Sequence, residues 1–144
     1  MNQKQIVLFS LFKDGQVLIE KRPLTGHHGN QLLIPGGSVK EKEAEKLEDA
    51  LKRELMEELG ITPLEFIRLK CEDIYTYKGV VMIPFLVNRW EGEIPSIGLD
   101  PEDPYPLEWV SLEVILNSPI NSTKKVACAL QKYVESSFQK ETKR

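Results

Sequence analysis

The stretch Arg53-Glu54-Leu55-Met56-Glu57-Glu58-Leu59-Gly60-Ile61 decides how the rest of the chain is read. On a helix, Leu51, Leu55 and Leu59 fall at i, i+4 and i+8 and form one apolar stripe. Glu54, Glu57 and Glu58 fall at i, i+3 and i+4, so their carboxylates share another face. Gly60 is a stop signal and Pro63 forbids continuation. Three like charges in one arc repel, destabilise the helix and raise one another's pKa values. A cation among them removes that penalty, and Mg²⁺ is commonly held by a few carboxylates together with substrate phosphates. A solvated charged face is the competing reading. It suits residues 40–49, where opposite charges alternate. It suits the arc poorly, since Arg53 is the only base within that run. Spacing alone leaves the two in balance.

Working outward, Leu32-Leu33-Ile34 reads as a short strand stopping at Pro35-Gly36-Gly37, where glycine lets the backbone turn and approach a ligand closely. The helix itself is expected over 44–59. Upstream, 6–12 and 17–19 flank Asp14-Gly15 and predict a β-hairpin, and 21–31 predicts a loop carrying His27 and His28. Downstream, 66–77 and 80–90 predict two longer strands. Residues 92–106 predict a long loop bearing Glu93, Asp100, Glu102 and Asp103, and such length is itself a functional sign. A short strand at Trp109-Val110, a helical turn over 112–116 and a helix over 122–138 complete the chain. Strands and helices mix without strict alternation, so the class is α+β or a mixed α/β sandwich.

At 144 residues one compact domain spanning 1–144 is expected. With 19 basic and 22 acidic residues the formal charge is −3, which argues against residence on a nucleic-acid polymer or on anionic lipid. It leaves room for a small phosphate-bearing ligand held by metal ions. The apolar runs 6–12 and 80–87 are too short to span a bilayer. Lys13-Asp14-Gly15 follows the first run where a signal peptide would carry a cleavage site. Cys71 and Cys128 form no CxxC and read as reduced thiols, so a cytoplasmic location is expected. His27 and His28 lack a third soft ligand nearby and do not read as a zinc site. The apolar content suits a monomer or a homodimer.

The segment 37–61 resembles the Nudix box, whose pattern is G-x5-E-x7-R-E-U-x-E-E-x-G-U with U apolar. Gly37, Glu45, Arg53, Glu54, Leu55, Glu57, Glu58, Gly60 and Ile61 fill it. From Glu45 onward the match has no gaps, whereas seven residues rather than five separate Gly37 from Glu45. Glu43 would restore that spacing but leave nine residues before Arg53, so an insertion in the loop is preferred. The resemblance continues over most of the chain to the MutT-like branch. It is carried by Arg89-Trp90-Glu91-Gly92-Glu93, Glu108-Trp109, Pro119-Ile120-Asn121 and the placing of His28-Gly29-Asn30 ahead of Pro35. The departures are Leu32-Leu33-Ile34, where that branch carries an aromatic, and a longer acidic loop.

The resemblance implies a Nudix fold, a mixed β-sheet sandwiched between helices. It implies a Mg²⁺-dependent nucleoside triphosphate pyrophosphohydrolase (Mn²⁺ being a possible substitute), acting on 8-oxo-dGTP or related nucleotides to give the monophosphate and pyrophosphate. Glu54, Glu57 and Glu58 would hold metal with the Gly37 carbonyl, joined by Glu102 or Asp103 ahead of Trp109. The general base would be one of those glutamates or an acid of 100–103. Arg53 would orient a catalytic glutamate through a charge-assisted bond. Arg22 and His28 stand where phosphate and base contacts would fall, with exposed loop residues as the alternative. Asn121 matches a base-recognising asparagine, with a helix N-cap as the alternative. Tyr77 stands near a tyrosine of diadenosine polyphosphate hydrolases, which keeps that substrate class open; an ordinary strand aromatic is the plainer reading. A catalytically silent nucleotide-binding Nudix module is the remaining alternative, and retention of all three box glutamates speaks for an enzyme.

Overall fold

The computed structural model describes residues 4–23, 30–76 and 78–142. In chain order its elements are β1 (Gln5–Lys13), β2 (Gln16–Pro23), β3 (Asn30–Leu33), β4 (Gly36–Ser38), a 3-10 turn (Glu41–Glu43), α1 (Leu47–Leu59), β5 (Thr62–Arg68), β6 (Ile74–Tyr75), β7 (Val81–Glu91), β8 (Leu107–Ser111), α2 (Leu112–Leu116) and α3 (Asn121–Thr142). His27, His28 and Tyr77 lie outside the described residues.

Strand β1 is the axis of the sheet. It runs parallel to β7 from Gln5↔Val81 to Leu11↔Val87 and antiparallel to β4 through Ile6↔Ser38, Val7↔Gly37 and Leu8↔Gly36. Its end turns through Asp14-Gly15 into β2, which carries β3 and β8 as antiparallel neighbours. β5 closes the far side, giving the path β3-β2-β1-β7-β5. Alternation sorts the side chains. Val7, Phe9, Leu11, Leu18, Ile83, Phe85 and Val87 pack against Leu51, Leu55 and Leu59 of α1. Leu8, Val17, Ile19 and Leu86 pack against Ile115 of α2 and Val126 and Leu130 of α3. The sheet is thus mixed and lies between helices, as expected. Trp90 and Trp109 stack at 6.0 Å against the α1 side of the core, as aromatic packing rather than as an open platform.

The expected loop over 21–31 is strand at both ends, β2 running to Pro23 and β3 spanning Asn30–Leu33, and α3 runs over Asn121–Thr142 rather than 122–138. Three further differences from the sequence reading have a backbone reason. The 66–77 strand begins earlier, at Thr62, and is broken after Arg68. The β5–β7 ladder reaches Arg68↔Phe85 and next meets Pro84, which has no N–H to donate. The Pro84 carbonyl instead accepts from the Leu69 amide at 2.9 Å, and pairing resumes at Ile74↔Met82. Gly36–Ser38, read as a turn, is a strand against β1. Its glycines permit an approach no side chain would: a Cβ on Gly36 would lie 2.3 Å from the Val7 carbonyl oxygen. Finally, the helix starts at Leu47 rather than 44, because residues 41–43 form the 3-10 turn and Ala44 takes a left-handed φ of 54°. That detour absorbs the two additional residues between Gly37 and Glu45.

Candidate active site

Burial of Leu51, Leu55 and Leu59 fixes the rotation of α1. The same rotation turns Glu54 inward, where it is only 6% exposed, against β4. A Cβ on Gly37 would fall 2.0 Å from the Glu54 carboxyl carbon, so this position takes glycine because a carboxylate fills the space. The helix ends at Gly60, whose left-handed φ of 69° lets its amide donate to the Met56 carbonyl at 3.0 Å.

Arg53 ties the loop to the helix. Its Nε and Nη2 donate to the two oxygens of Glu45 at 2.8 and 2.9 Å, and Nη2 also donates to the Ser38 carbonyl at 2.8 Å. Its Nη1 donates to Glu54 at 2.9 Å and to Glu57 at 3.0 Å. Glu45 further accepts the Lys40 amide at 2.9 Å. The guanidinium holds the Glu45 carboxyl down to about 2. Glu45 is therefore the acid that answers Arg53 across the lengthened loop, while Glu43 is exposed and, among the described residues, pairs with Lys40.

Glu58 is in the opposite situation. Among the described residues no donor reaches its carboxylate. Burial, then the fields of Glu54, Asp100, Glu20 and Asp103, push its carboxyl up to about 7. The two aspartates arrive on the 92–106 loop, which is pinned to the last turn of α1 where the Leu99 amide donates to the Glu58 carbonyl at 2.9 Å. Glu20 arrives on β2. It shares the strand face of Leu18 and Arg22, so it extends the α1-facing row past the end of the apolar core. Burial raises its carboxyl despite the Arg22 bond at 2.8 Å. Burial likewise raises Glu54 despite Arg53.

The sequence-predicted residues separate into two places. Gly37, Arg53, Glu54, Glu57 and Glu58 converge along α1 and β4, with Asp103 joining from the loop. Glu57 is exposed, and so is Glu102, which lies outside the group acting on Glu58. Asp100, expected from sequence as one of the loop acids 100–103 that could serve as general base, acts on Glu58 where Glu102 does not, and its carboxylate also accepts the Glu102 amide at 2.9 Å. Glu20 was missed. Its signal was parity: an acid two residues beyond Leu18, continuing a core-facing row. Arg22 is engaged by Glu20, by Asp103 at 2.8 Å and by the Tyr105 ring at 4.0 Å. Asn121 lies elsewhere, at the exposed start of α3, lining a groove of about 370 Å³ with Lys70, Cys71 and Lys124. No capping bond from its side chain occurs among the described residues, so the N-cap reading has no bond to rest on.

Among the described residues no three acids, histidines or cysteines are gathered closely enough to hold an ion by themselves. The chemistry of the donor set nonetheless fits a hard divalent cation. Glu58 stands among four other carboxylates, with Arg22 beside Glu20 and Asp103 and Arg53 beside Glu54, so the acids still outnumber the cations and an added positive charge would balance the group.

Comparison with known proteins identifies the family. The NUDIX domain family matches residues 1–130. An 8-oxo-dGTP diphosphatase of Buchnera aphidicola (subsp. Schizaphis graminum) is 34% identical over 113 residues, which is 78% of this chain and 81% of that protein. The 8-oxo-dGTP diphosphatase of Escherichia coli is 35% identical over 101 residues, 69% of this chain and 73% of its own. Among solved structures, one from work on MutT of Aliivibrio salmonicida and Vibrio cholerae superposes with a TM-score of 0.67 at 25% identity, covering 91% of this chain and 99% of that one. No described helix is long and apolar enough to cross a membrane.

Proposed function

The chain belongs to the Nudix family, and from that premise we propose its substrate and the duties of its residues. It is a MutT-like nucleotide pyrophosphohydrolase that works with a divalent metal. The substrate we assign is 8-oxo-dGTP, hydrolysed to the nucleoside monophosphate and pyrophosphate, and the ion we assign is Mg²⁺. The observation that carries the reading is the asymmetry of the glutamate arc. Arg53 holds Glu54 and Glu57, while Glu58 is left bare of donors beside Glu54, Asp100, Glu20 and Asp103.

Water must attack a phosphorus already surrounded by negative oxygens. A bound Mg²⁺ would supply charge neutralisation and acidify the attacking water. Glu54, Glu57, Glu58, Asp103 and the Gly37 carbonyl are the groups that would hold it, whereas Glu102, exposed and outside the group around Glu58, is the weakest member of the expected set. One acid must also take the proton of water, and Glu58 suits this duty because no side chain occupies its lone pairs. Arg53 fixes the carboxylates of Glu54 and Glu57 in one orientation, which removes a reorganisation cost from the transition state. Arg22 keeps Nη1 for a phosphate oxygen, since among the described residues its carboxylate partners take Nε and Nη2. His28 and Asn121 are assigned to the base, Asn121 because its amide is not spent on the helix end. The free thiols of Cys71 and Cys128 agree with action in the reducing cytoplasm.

A hydrolysis panel with Mg²⁺ tests this reading: 8-oxo-dGTP, ordinary nucleoside triphosphates, ADP-ribose and diadenosine polyphosphates, on wild type and Glu58→Gln, with products identified. Preference for 8-oxo-dGTP with pyrophosphate released, abolished in Glu58→Gln, is the expected result. Preference for a dinucleotide would discard the base assignment of Asn121 and keep the acids.

A further inference from the structure

We propose that Glu20, Arg22 and Tyr105 form a latch that holds the acidic loop over the end of α1 and so sets where Asp100 and Asp103 stand relative to Glu58. The proposal rests on the reading of Glu58 and Asp103 as metal-holding groups. Glu20 and Arg22 are positioning residues in it, acting through the loop.

The root of the loop needs no latch. It is closed by backbone bonds: Leu107 to Ser96 at 2.9 Å, Gly98 to Tyr105 at 3.0 Å, and Lys21 to Pro106 at 2.9 Å. The tip, residues 99–104, carries the two aspartates and has fewer restraints. Within it, the Asp103 amide donates to the Asp100 carbonyl at 3.1 Å, and among the described residues the backbone tie to α1 is that from Leu99 to Glu58. The fixed reference is β2, paired to β3 on one side and β8 on the other. From β2 the Arg22 guanidinium reaches Asp103 with Nη2, while its central carbon lies over the Tyr105 ring. Glu20, buried and on the same strand face, takes Nε and so orients the fork before it meets the loop. One rigid strand thus aims one guanidinium at both ends of the segment 103–105. Without it, Asp100 and Asp103 would be free to swing away from Glu58, because each repels it.

The latch explains a pairing that otherwise costs stability. Glu20 is a carboxylate buried beside other carboxylates, a position that a substrate contact by Arg22 alone would not require. Arg22 serves as a spacer of fixed shape, for which lysine, a point charge without the planar fork, is no substitute.

The test uses full-length wild type, Glu20→Gln, Arg22→Lys and Tyr105→Leu, each first checked for a cooperative thermal melt. Amide hydrogen exchange of metal-free protein reads the loop directly. The latch predicts faster exchange at Leu99, Asp103 and Tyr105 in the variants, with the α1 and β7 amides unchanged. Mn²⁺ titration followed by electron paramagnetic resonance, without nucleotide, reads the acids: apparent affinity should fall ~10-fold, the range seen when residues behind metal ligands are altered. With 8-oxo-dGTP, Glu20→Gln and Tyr105→Leu, which leave Arg22 Nη1 in place, should lower kcat while KM moves less than about threefold, since an interaction lost only in the transition state lowers kcat. Unchanged exchange and unchanged Mn²⁺ affinity would overturn the latch, as would a rise in KM at constant kcat in Glu20→Gln and Tyr105→Leu, which would reduce both residues to supports of the Arg22 phosphate contact. Exchange and Mn²⁺ binding are independent of the nucleotide, so a wrong substrate assignment would surface in the hydrolysis panel and leave these two readouts standing.

Discussion

Arg53 and Glu45, eight residues apart, meet through two nearly parallel bonds of 2.8 and 2.9 Å, and this fork is what joins the lengthened loop to α1. The remaining guanidinium hydrogens go to Ser38, Glu54 and Glu57. Replacing Arg53 with lysine keeps the charge and loses the fork. Arg53→Lys should lower kcat by about 100-fold, on the scale of losing one preorganised electrostatic contact, with little change in KM. Steady-state kinetics on folded protein checks it.

The same pair gives a pH dependence with a defined sign. The Glu45 carboxyl sits at about 2 when folded, below its ordinary value. A depressed acid contributes stability above its unfolded pKa and loses it as pH falls through the folded value. Wild type should therefore lose about 1 kcal/mol more than Glu45→Gln as the pH falls from about 5 to 2, a figure reduced for solvent screening. Urea denaturation at several pH values measures the difference. Equal pH slopes for the two proteins would contradict it.

Gly37→Ala isolates a steric demand. The φ of Gly37 is not in the left-handed region, so backbone strain plays no part. The new methyl would overlap the Glu54 carboxyl group instead. Either β4 moves off β1 or Glu54 leaves its place, and both displace the acids. A loss of 1–3 kcal/mol, roughly the usual cost of overpacking, should accompany a ~100-fold or larger fall in turnover.

Crowding at Glu58 should appear as a penalty that metal relieves. Its carboxyl is raised to about 7, so ionising it opposes folding, and metal-free protein should lose stability as pH rises from about 5 to 8. Glu58→Gln should flatten that slope and melt above wild type in chelator at pH 8. Adding Mg²⁺ should stabilise wild type more than the variant, because only a ligand bound to the folded state shifts its melting. A wild type indifferent to Mg²⁺ in a thermal shift titration would count against the metal assignment.

Ser10 provides a control away from the site. Its hydroxyl is fully buried in β1 and, among the described residues, is the buried side-chain polar atom with no partner. Ser10→Ala should leave turnover unchanged and raise stability by up to about 1 kcal/mol, since an unsatisfied buried donor is removed at little cost in volume.

What sequence could and could not reveal follows from how local each signal is. The α1 stripe and its glutamates repeat at helical spacing, so Glu54, Glu57 and Glu58 were legible as one face. β4 was not, because Gly36 and Gly37 carry no strand preference and their pairing is decided by β1. The break after Arg68 depended on Pro84 across the sheet, which no local pattern at 66–77 contains. Asp100 and Glu102 look alike in the loop; only the folded chain distinguishes them, since the field of Asp100 and not that of Glu102 acts on Glu58. Glu20 was hidden by its neighbours, since a strand ending in Glu-Lys-Arg reads as a solvated edge until parity is counted from Leu18.

The parallel ladder between β1 and β7 also governs how the chain reaches this state. The β1–β2 hairpin is local and can form early. Its partner β7 begins only at Val81, so the chain must close a loop more than half its length before the central ladder exists. Such non-local pairing slows folding, and in that interval Val7, Phe9 and Leu11 sit on an unpaired strand edge. During synthesis the first strand therefore waits for the seventh, and substitutions that weaken β7 should show first as aggregation of newly made chains rather than as a lower melting point of those that have folded.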